Sequence, residues 1–170
     1  MASSRTGVDE RPTVATVFAA HRLALVRLAI LLVDDLPTAE DVVQDAFAGL
    51  VRSHGDGADI NDQLAYLRRA VVNNAGSVLR RRRTARGYVP PHEPGPAGPE
   101  SEALLADEHR EVLTALRRLG QRQREVLVLR YWSDLSEAEI AATLDISKGA
   151  VKSLASRGVA ALREHLGLAE

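Results

Sequence analysis

The chain has 170 residues and no cysteine. That absence excludes disulfide staples, thiolate zinc sites and cysteine nucleophiles together. Aromatic residues make up only 4%, so a core must be built from Ala, Val, Leu and Ile. No run alternates convincingly between apolar and polar residues, and no hairpin signal lies between apolar runs, which argues against β architecture. Long unbroken apolar stretches are missing too: the most apolar run, Leu23 to Val33, is interrupted by Arg27. Neither a membrane span nor a secretory signal is expected, and the expected location is cytoplasmic. What is present, 45% hydrophobic and 26% charged residues, is a foldable composition with room for one ordinary domain or two small ones.

The net charge of −1 conceals segregated blocks. Arg68 to Arg86 carries seven arginines and no acid, and Gly87 to Glu111 carries six acids and one arginine. Val112 to Ser133 returns to +4, Asp134 to Ser147 falls to −4, and Lys148 to Arg163 is +4 again. A solvated helix usually mixes signs at i, i+4 spacing, whereas two separate basic blocks suggest two contacts with a polyanion.

Residues 1–11 are polar and without period, and read as a tail. Pro12 fits a helix start, followed by an apolar pattern through Val14, Val17, Phe18, Leu25, Leu28 and Leu32 that Asp34, Asp35 and Pro37 break. Thr38 with Asp41 suggests the cap of a second helix. Its buried stripe would be Val42, Val43, Ala46, Phe47, Leu50 and Val51, leaving Glu40, Asp41, Gln44, Asp45 and Ala48 opposite. Residues 53–57 read as a loop. A third helix runs from Asn61 or Asp62 into the arginine run, with Leu64, Leu67, Val71, Ala75 and Val78 on one face and Arg69, Asn73, Ser77 and Arg80 on another. Tyr88 to Pro99 holds five prolines and two glycines, a composition suited to a linker. The expected class is therefore all-α: a helical domain over 12–86, a Pro/Gly-rich linker over 87–99 and a second helical domain over 100–168.

In the second domain Ser101 opens a helix with Leu105, Val112, Leu116 and Leu119 inward and Gly120 at its end, and Gln121 to Trp132 forms another. Ser136 and Glu139 have the spacing of a capping box. Ser136 to Arg157 then has the spacing of a helix-turn-helix. Ile140, Ala141 and Leu144 supply an inner face, Asp145-Ile146-Ser147 the turn, and Val151 and Leu154 the inward side of the second helix. Lys148, Gly149, Lys152, Ser153, Ser156 and Arg157 remain outside, as DNA-contacting residues of a helix in the major groove would. Asp41 and Asp45 stand at i, i+4, but no histidine or further carboxylate visibly converges on them, so neither a metal, a cofactor nor an acid–base pair is expected.

Arg122-Gln-Arg-Glu-Val-Leu-Val-Leu-Arg-Tyr-Trp132, Leu135 to Leu144 and Val151-Lys-Ser153 together resemble the promoter-recognition domain of extracytoplasmic-function (ECF) sigma factors. Independently, Ala39 to Phe47 resembles their polymerase-binding helix, and Ala65 to Asn73 the helix that approaches melted promoter DNA. An excess of arginine over lysine (20 to 2) and the sequence Lys152 to Gly158 look most like the sigma-E-like group of high-GC, actinobacterial-type bacteria.

The resemblance implies a region 2 type bundle and a region 4 type helix-turn-helix. It implies a non-enzymatic initiation factor that binds core RNA polymerase and promoter DNA, with an anti-sigma factor as a further candidate partner. Asp41, Gln44 and Asp45 would face the polymerase, and Tyr66, Arg69, Asn73, Ser77, Arg80 and Arg81 the downstream (minus-ten) element. The loop 53–60 would receive a flipped base, and the outer residues of the last helix would meet the upstream (minus-thirty-five) element. Two positions depart from the family pattern: Tyr66 stands where tryptophan is frequent and Ser77 where aspartate is frequent. A stand-alone helix-turn-helix regulator is the main alternative. A protein-binding adaptor and a nuclease using the acids of the first domain are more distant ones.

Overall fold

The computed structural model describes residues 12–54, 59–86 and 110–168. Among these described residues there are seven α-helices and no strand, as an all-α chain requires. They are α1 (Val14–Val33), α2 (Leu36–His54), α3 (Ile60–Ala85), α4 (Arg110–Arg117), α5 (Gln121–Tyr131), α6 (Glu137–Leu144) and α7 (Lys148–His165). The expected linker and the expected start of a helix at Ser101, with Leu105, lie outside the described residues.

Short side chains set most of the helix starts. Thr13 caps α1, its Oγ1 accepting from the Thr16 N–H at 3.2 Å. α2 begins two residues before Thr38, because Asp35 supplies the cap: its Oδ1 accepts from the Thr38 N–H at 3.0 Å. Pro37 is tolerated in that first turn, where its missing N–H would have no intrahelical partner. Asp59 caps α3 through the Asn61 N–H at 2.7 Å. Gly120, expected to end a helix, is instead the N-cap of α5 at φ −57°.

Helices α1, α2 and α3 pack on one another as a first bundle, and α4 to α7 form a second around α7. From Leu25 to Val33 only Arg27 of α1 is exposed. By length and composition α1 is long and apolar enough to cross a membrane despite Arg27, but here that apolar half is buried in the bundle core. The expected stripe of α2 is buried except at its last member, Val51, which is 55% exposed. The i, i+4 row drifts about 40° per step around a helix, so the line Val43, Phe47, Val51 leaves the core at its third residue. Phe18, expected inside, sits at the rim of the core with its ring edge-on to Phe47 at 4.9 Å. Val112 likewise faces outward, and Leu113, Ala115 and Leu116 carry the inner face of α4.

The two bundles touch: α4 and α5 lie against the end of α1, and α6 lies against α3. The junction between α1 and α2 is where they converge. Asp34 ends α1 in the left-handed region at φ 74°, a conformation aspartate tolerates better than most residues. It accepts from Arg117 at 3.2 Å and Arg124 at 3.3 Å. Burial pushes the Asp34 carboxyl above its ordinary value, against the opposing pull of Arg124 and Arg117. From α3, Arg82 donates to the Val33 carbonyl, to Asp35 Oδ2 at 3.0 Å and to Thr38 Oγ1 at 2.7 Å.

Although partial burial opposes it, the Thr38 and Arg82 hydrogen bonds hold the Asp35 carboxyl below its ordinary value of 3.8. Its stabilising effect is therefore complete above that value and lost as pH falls through the lower value of the folded chain. Asp35→Ala removes both the α2 cap and the partner of Arg82. It should cost about 0.5–2 kcal/mol in urea unfolding near neutral pH, the usual range for losing a cap. The difference from the wild type should shrink steadily as the titration is carried into acid below pH 3.8.

Candidate nucleic-acid interface

The helix-turn-helix is built as its sequence spacing implies. Ser136 and Glu139 form a reciprocal capping box at the start of α6, at 3.2 and 2.8 Å. Those hydrogen bonds hold the Glu139 carboxyl below its ordinary value. Asp145 turns the chain at φ 54°, and Ser147 caps α7 through the Ala150 N–H at 3.1 Å. Ile140 is fully buried, Leu144 nearly so, and Ile146 packs in the angle between the helices. Val151 and Ala155 pin α7 to the core, and Leu154 is half-buried.

Further along α7, Gly158 lies against Leu127 of α5: a Cβ there would come within 3.1 Å of the Leu127 side chain. The axis of α7 is thereby fixed close to α5. On the other side Lys148, Gly149, Lys152, Ser153, Ser156 and Arg157 are all exposed. Arg157 Nε donates to the Ser153 carbonyl at 3.3 Å, and Lys152 stands 3.9 Å from Glu137 of α6. Both cations keep free donors directed to solvent, as groups that meet phosphates or base edges need.

On α3, Tyr66, Arg69, Asn73, Ser77 and Arg80 recur at three and four residues and share one side over about 21 Å of helix. Arg69, Asn73, Arg80 and Arg81 are exposed, and Ser77 is half-buried. Ser77, Arg80 and Arg81 line an open depression with Thr84 and Ala85. Arg80 Nη2 donates to Ser77 Oγ at 3.1 Å, and Arg81 Nε approaches the Ser77 carbonyl at 3.4 Å. Tyr66 is half-buried rather than fully presented, its ring edge-on to His54 at 5.0 Å. Of the loop 53–60, residues 55–58 lie outside the described residues. On α2, Asp41, Gln44 and Asp45 are exposed together on one face. The structure thus leaves three polar faces on three helices, two of them basic and one acidic. Among the described residues no cluster of His, Asp and Glu could hold a metal.

The comparisons divide the chain in the same way. Residues 17–85 match sigma-70 region 2, and residues 109–162 match sigma-70 region 4. RNA polymerase sigma-E factor of Streptomyces coelicolor is 38% identical over 147 residues, covering 84% of this chain and 80% of that protein. The chain belongs to the sigma-70 family. Within it the resemblance runs to the ECF, sigma-E-like members of actinobacteria. Among solved structures, the sigma factor RpoE of Bartonella quintana, in complex with the anti-sigma factor NepR, is 25% identical with a TM-score of 0.63. It covers 89% of this chain, and the match covers 97% of RpoE. CnrH, in complex with the cytosolic domain of CnrY, matches equally well, over 92% of this chain and 89% of its own.

Sequence reasoning missed several residues that shape these faces. The loop expected over 53–57 starts later than its composition implies: Ser53 and His54 belong to α2, and His54 packs on Tyr66. Gly49 makes room for the Tyr66 hydroxyl, which would be 2.7 Å from a Cβ at that position. A glycine in a helix interior weakens the helix, so Gly49 and Gly158 were the available signals of close approach. Gly49→Ala should therefore have different effects in two backgrounds. Beside Tyr66→Phe it should stabilise by up to about 1 kcal/mol through helix propensity, and beside the native Tyr66 that gain should vanish or reverse. A double-mutant cycle in urea measures the difference.

Proposed function

We propose that this sigma factor joins core RNA polymerase through α2 and reads a two-part promoter with α3 and α7. The observation that carries the proposal is the division of α7: Val151 and Ala155 are buried while Lys148, Gly149, Lys152, Ser153, Ser156 and Arg157 all face solvent. A helix held on one side and polar on the other can enter a major groove without unfolding anything. On this proposal α7 takes the upstream element, with Lys152 and Arg157 its principal contacts. Tyr66, Arg69, Asn73, Ser77, Arg80 and Arg81 follow the downstream element. Asp41, Gln44 and Asp45 present acceptors to a basic surface of the polymerase. Residues 12–86 and 100–168 act as the two working domains and 87–99 as their tether.

The factor performs no chemistry of its own in this proposal; the polymerase polymerises, and the factor works in the cytoplasm. The anti-sigma partner in the RpoE structure supports a similar partner here.

Four consecutive arginines, Arg80 to Arg83, do not act alike. Arg82 is committed to Val33, Asp35 and Thr38, and Arg83 reaches Gln121, so Arg80 and Arg81 are the pair available to phosphates. Replacing Arg80 and Arg81 by Ala should flatten the salt dependence of promoter binding by the holoenzyme, because fewer counterions are released. Arg82→Ala should lower thermal stability while leaving that slope in place.

Lys152→Ala or Arg157→Ala, tested in the holoenzyme, should weaken upstream-element binding. The loss should be about 1–3 kcal/mol with relaxed preference at one position if the side chain reads a base, and uniform across sequences if it meets phosphate. Unchanged affinity and selectivity in both variants would remove α7 as the reading helix. Asp41→Lys with Asp45→Lys should preserve helicity and weaken core binding. Tight, sequence-specific binding by the chain without polymerase would favour a stand-alone regulator instead.

A further inference from the structure

The cations on the outer side of the helix-turn-helix are not equivalent, because one carboxylate reaches two of them. Glu137 is the first residue of α6. Its Oε1 lies 3.9 Å from Arg130 Nη1 near the end of α5, and its Oε2 lies 3.9 Å from Lys152 Nζ on α7. One acid thus bridges three helices. Arg130 also stands over the Tyr131 ring, 5.7 Å from its centre. Arg157 leans on its own helix instead, through the Ser153 carbonyl at 3.3 Å. The neighbouring acids have other tasks. Glu139 closes the capping box on the Ser136 N–H at 2.8 Å, and Asp134 and Asp145 turn the chain in the left-handed region.

Glu137 does little for the fold. Both of its ion pairs are too long for hydrogen bonds, and the side chains of Glu137, Arg130 and Lys152 are 33%, 39% and 69% exposed. Pairs of that kind contribute little to stability. Ser136 and Glu139 cap α6 without it. For a surface that meets phosphates the same acid is a handicap. It adds a like charge where phosphates arrive and shares the cations that would receive them.

The chemistry of an ammonium turns that handicap into discrimination. Lysine carries three donors that are not set in a fixed fork. Lys152 can give one to Glu137 and another to an uncharged base edge, such as O6 or N7 of guanine. Serving a phosphate beside Glu137 would instead bring two negative charges together on one ammonium.

We propose that Glu137 is a specificity-determining residue for the upstream element: it holds Lys152 off phosphate and leaves it to a base edge. The proposal rests on the function proposed above, in which α7 reads that element. Glu137 acts through Lys152, as a positioning residue.

Glu137→Gln keeps the size of the side chain and removes its charge. The full chain without polymerase, titrated with a fluorescent duplex of random sequence, measures the phosphate half of the proposal. At low salt Glu137→Gln should bind that duplex about two- to fivefold more tightly than the parent, the size of one exposed ion pair. Its log affinity should also fall more steeply with log salt, by up to about 0.9 per added phosphate contact. In a Lys152→Ala background most of this gain should disappear, which a weakened start of α6 would not produce. Unchanged affinity in Glu137→Gln, or a gain that persists in full beside Lys152→Ala, would overturn the proposal.

Holoenzyme assembled from core polymerase and either chain, presented with a randomised promoter library, measures the base half. Sequencing of bound and unbound templates should show preference weakened by Glu137→Gln at one upstream position, the same one at which Lys152→Ala loses it. A native preference that Glu137→Gln leaves intact at every position would overturn the role of Glu137 alone. A native holoenzyme with no base preference upstream would remove α7 as the reading helix and the role of Glu137 together.

Discussion

The carboxyl end of α1 sets the geometry of everything around it. A helix terminus leaves carbonyls without intrahelical donors and concentrates negative partial charge, which is costly to bury. Here the carbonyls of Leu32 and Val33 and the carboxylates of Asp34 and Asp35 lie together at a partly buried junction. Arginines from three directions satisfy them: Arg82 from α3, Arg117 from α4 and Arg124 from α5. The planar fork of arginine suits this task because it can serve a carbonyl and a carboxylate at once. α3 must extend past its sixth turn for Arg82 to arrive, and the second bundle must lie beside α1 for Arg117 and Arg124 to do so.

That constraint also explains how one basic run serves several purposes. Successive residues on a helix point about 100° apart, so Arg80 to Arg83 cannot form a single patch. Arg80 and Arg81 are exposed beside Ser77, Arg82 turns inward to the α1–α2 junction, and Arg83 reaches across to α5. Counting charge along the chain treats the four as equivalent. The helical geometry places Arg80 and Arg81 on one outer face beside Ser77, and turns the exposed Arg83 toward Gln121 instead.

The all-α class, the capping box at Ser136 and the division of α6 and α7 into inner and outer sides were legible because each depends on spacing within one helix. Position at the edge of a stripe was less legible. Val51 continues the i, i+4 row of Val43 and Phe47 but drifts out of the core, and Val112 cedes its place to Leu113. The start of α2 was misplaced because Thr38 and Asp35 are both plausible caps, and the bound N–H decides between them. Contacts between elements distant in sequence left almost no local trace. Nothing in the neighbourhood of Asp34 indicates arginines 83 and 90 residues away, and only the interior glycines Gly49, Gly76 and Gly158 marked where helices approach closely.

The proposed function depends on rigid presentation of polar helix faces. The interior of each bundle is largely aliphatic and anchors helices whose outer residues stay exposed, and Gly158 against Leu127 holds α7 close to α5. The most direct measurement is run-off transcription with the purified chain, core polymerase and a randomised promoter library. Transcripts with defined start sites are expected only when chain and core are combined, drawn from templates that share two separated sequence elements. Initiation that does not depend on the chain, or selected templates with a single element, would contradict it.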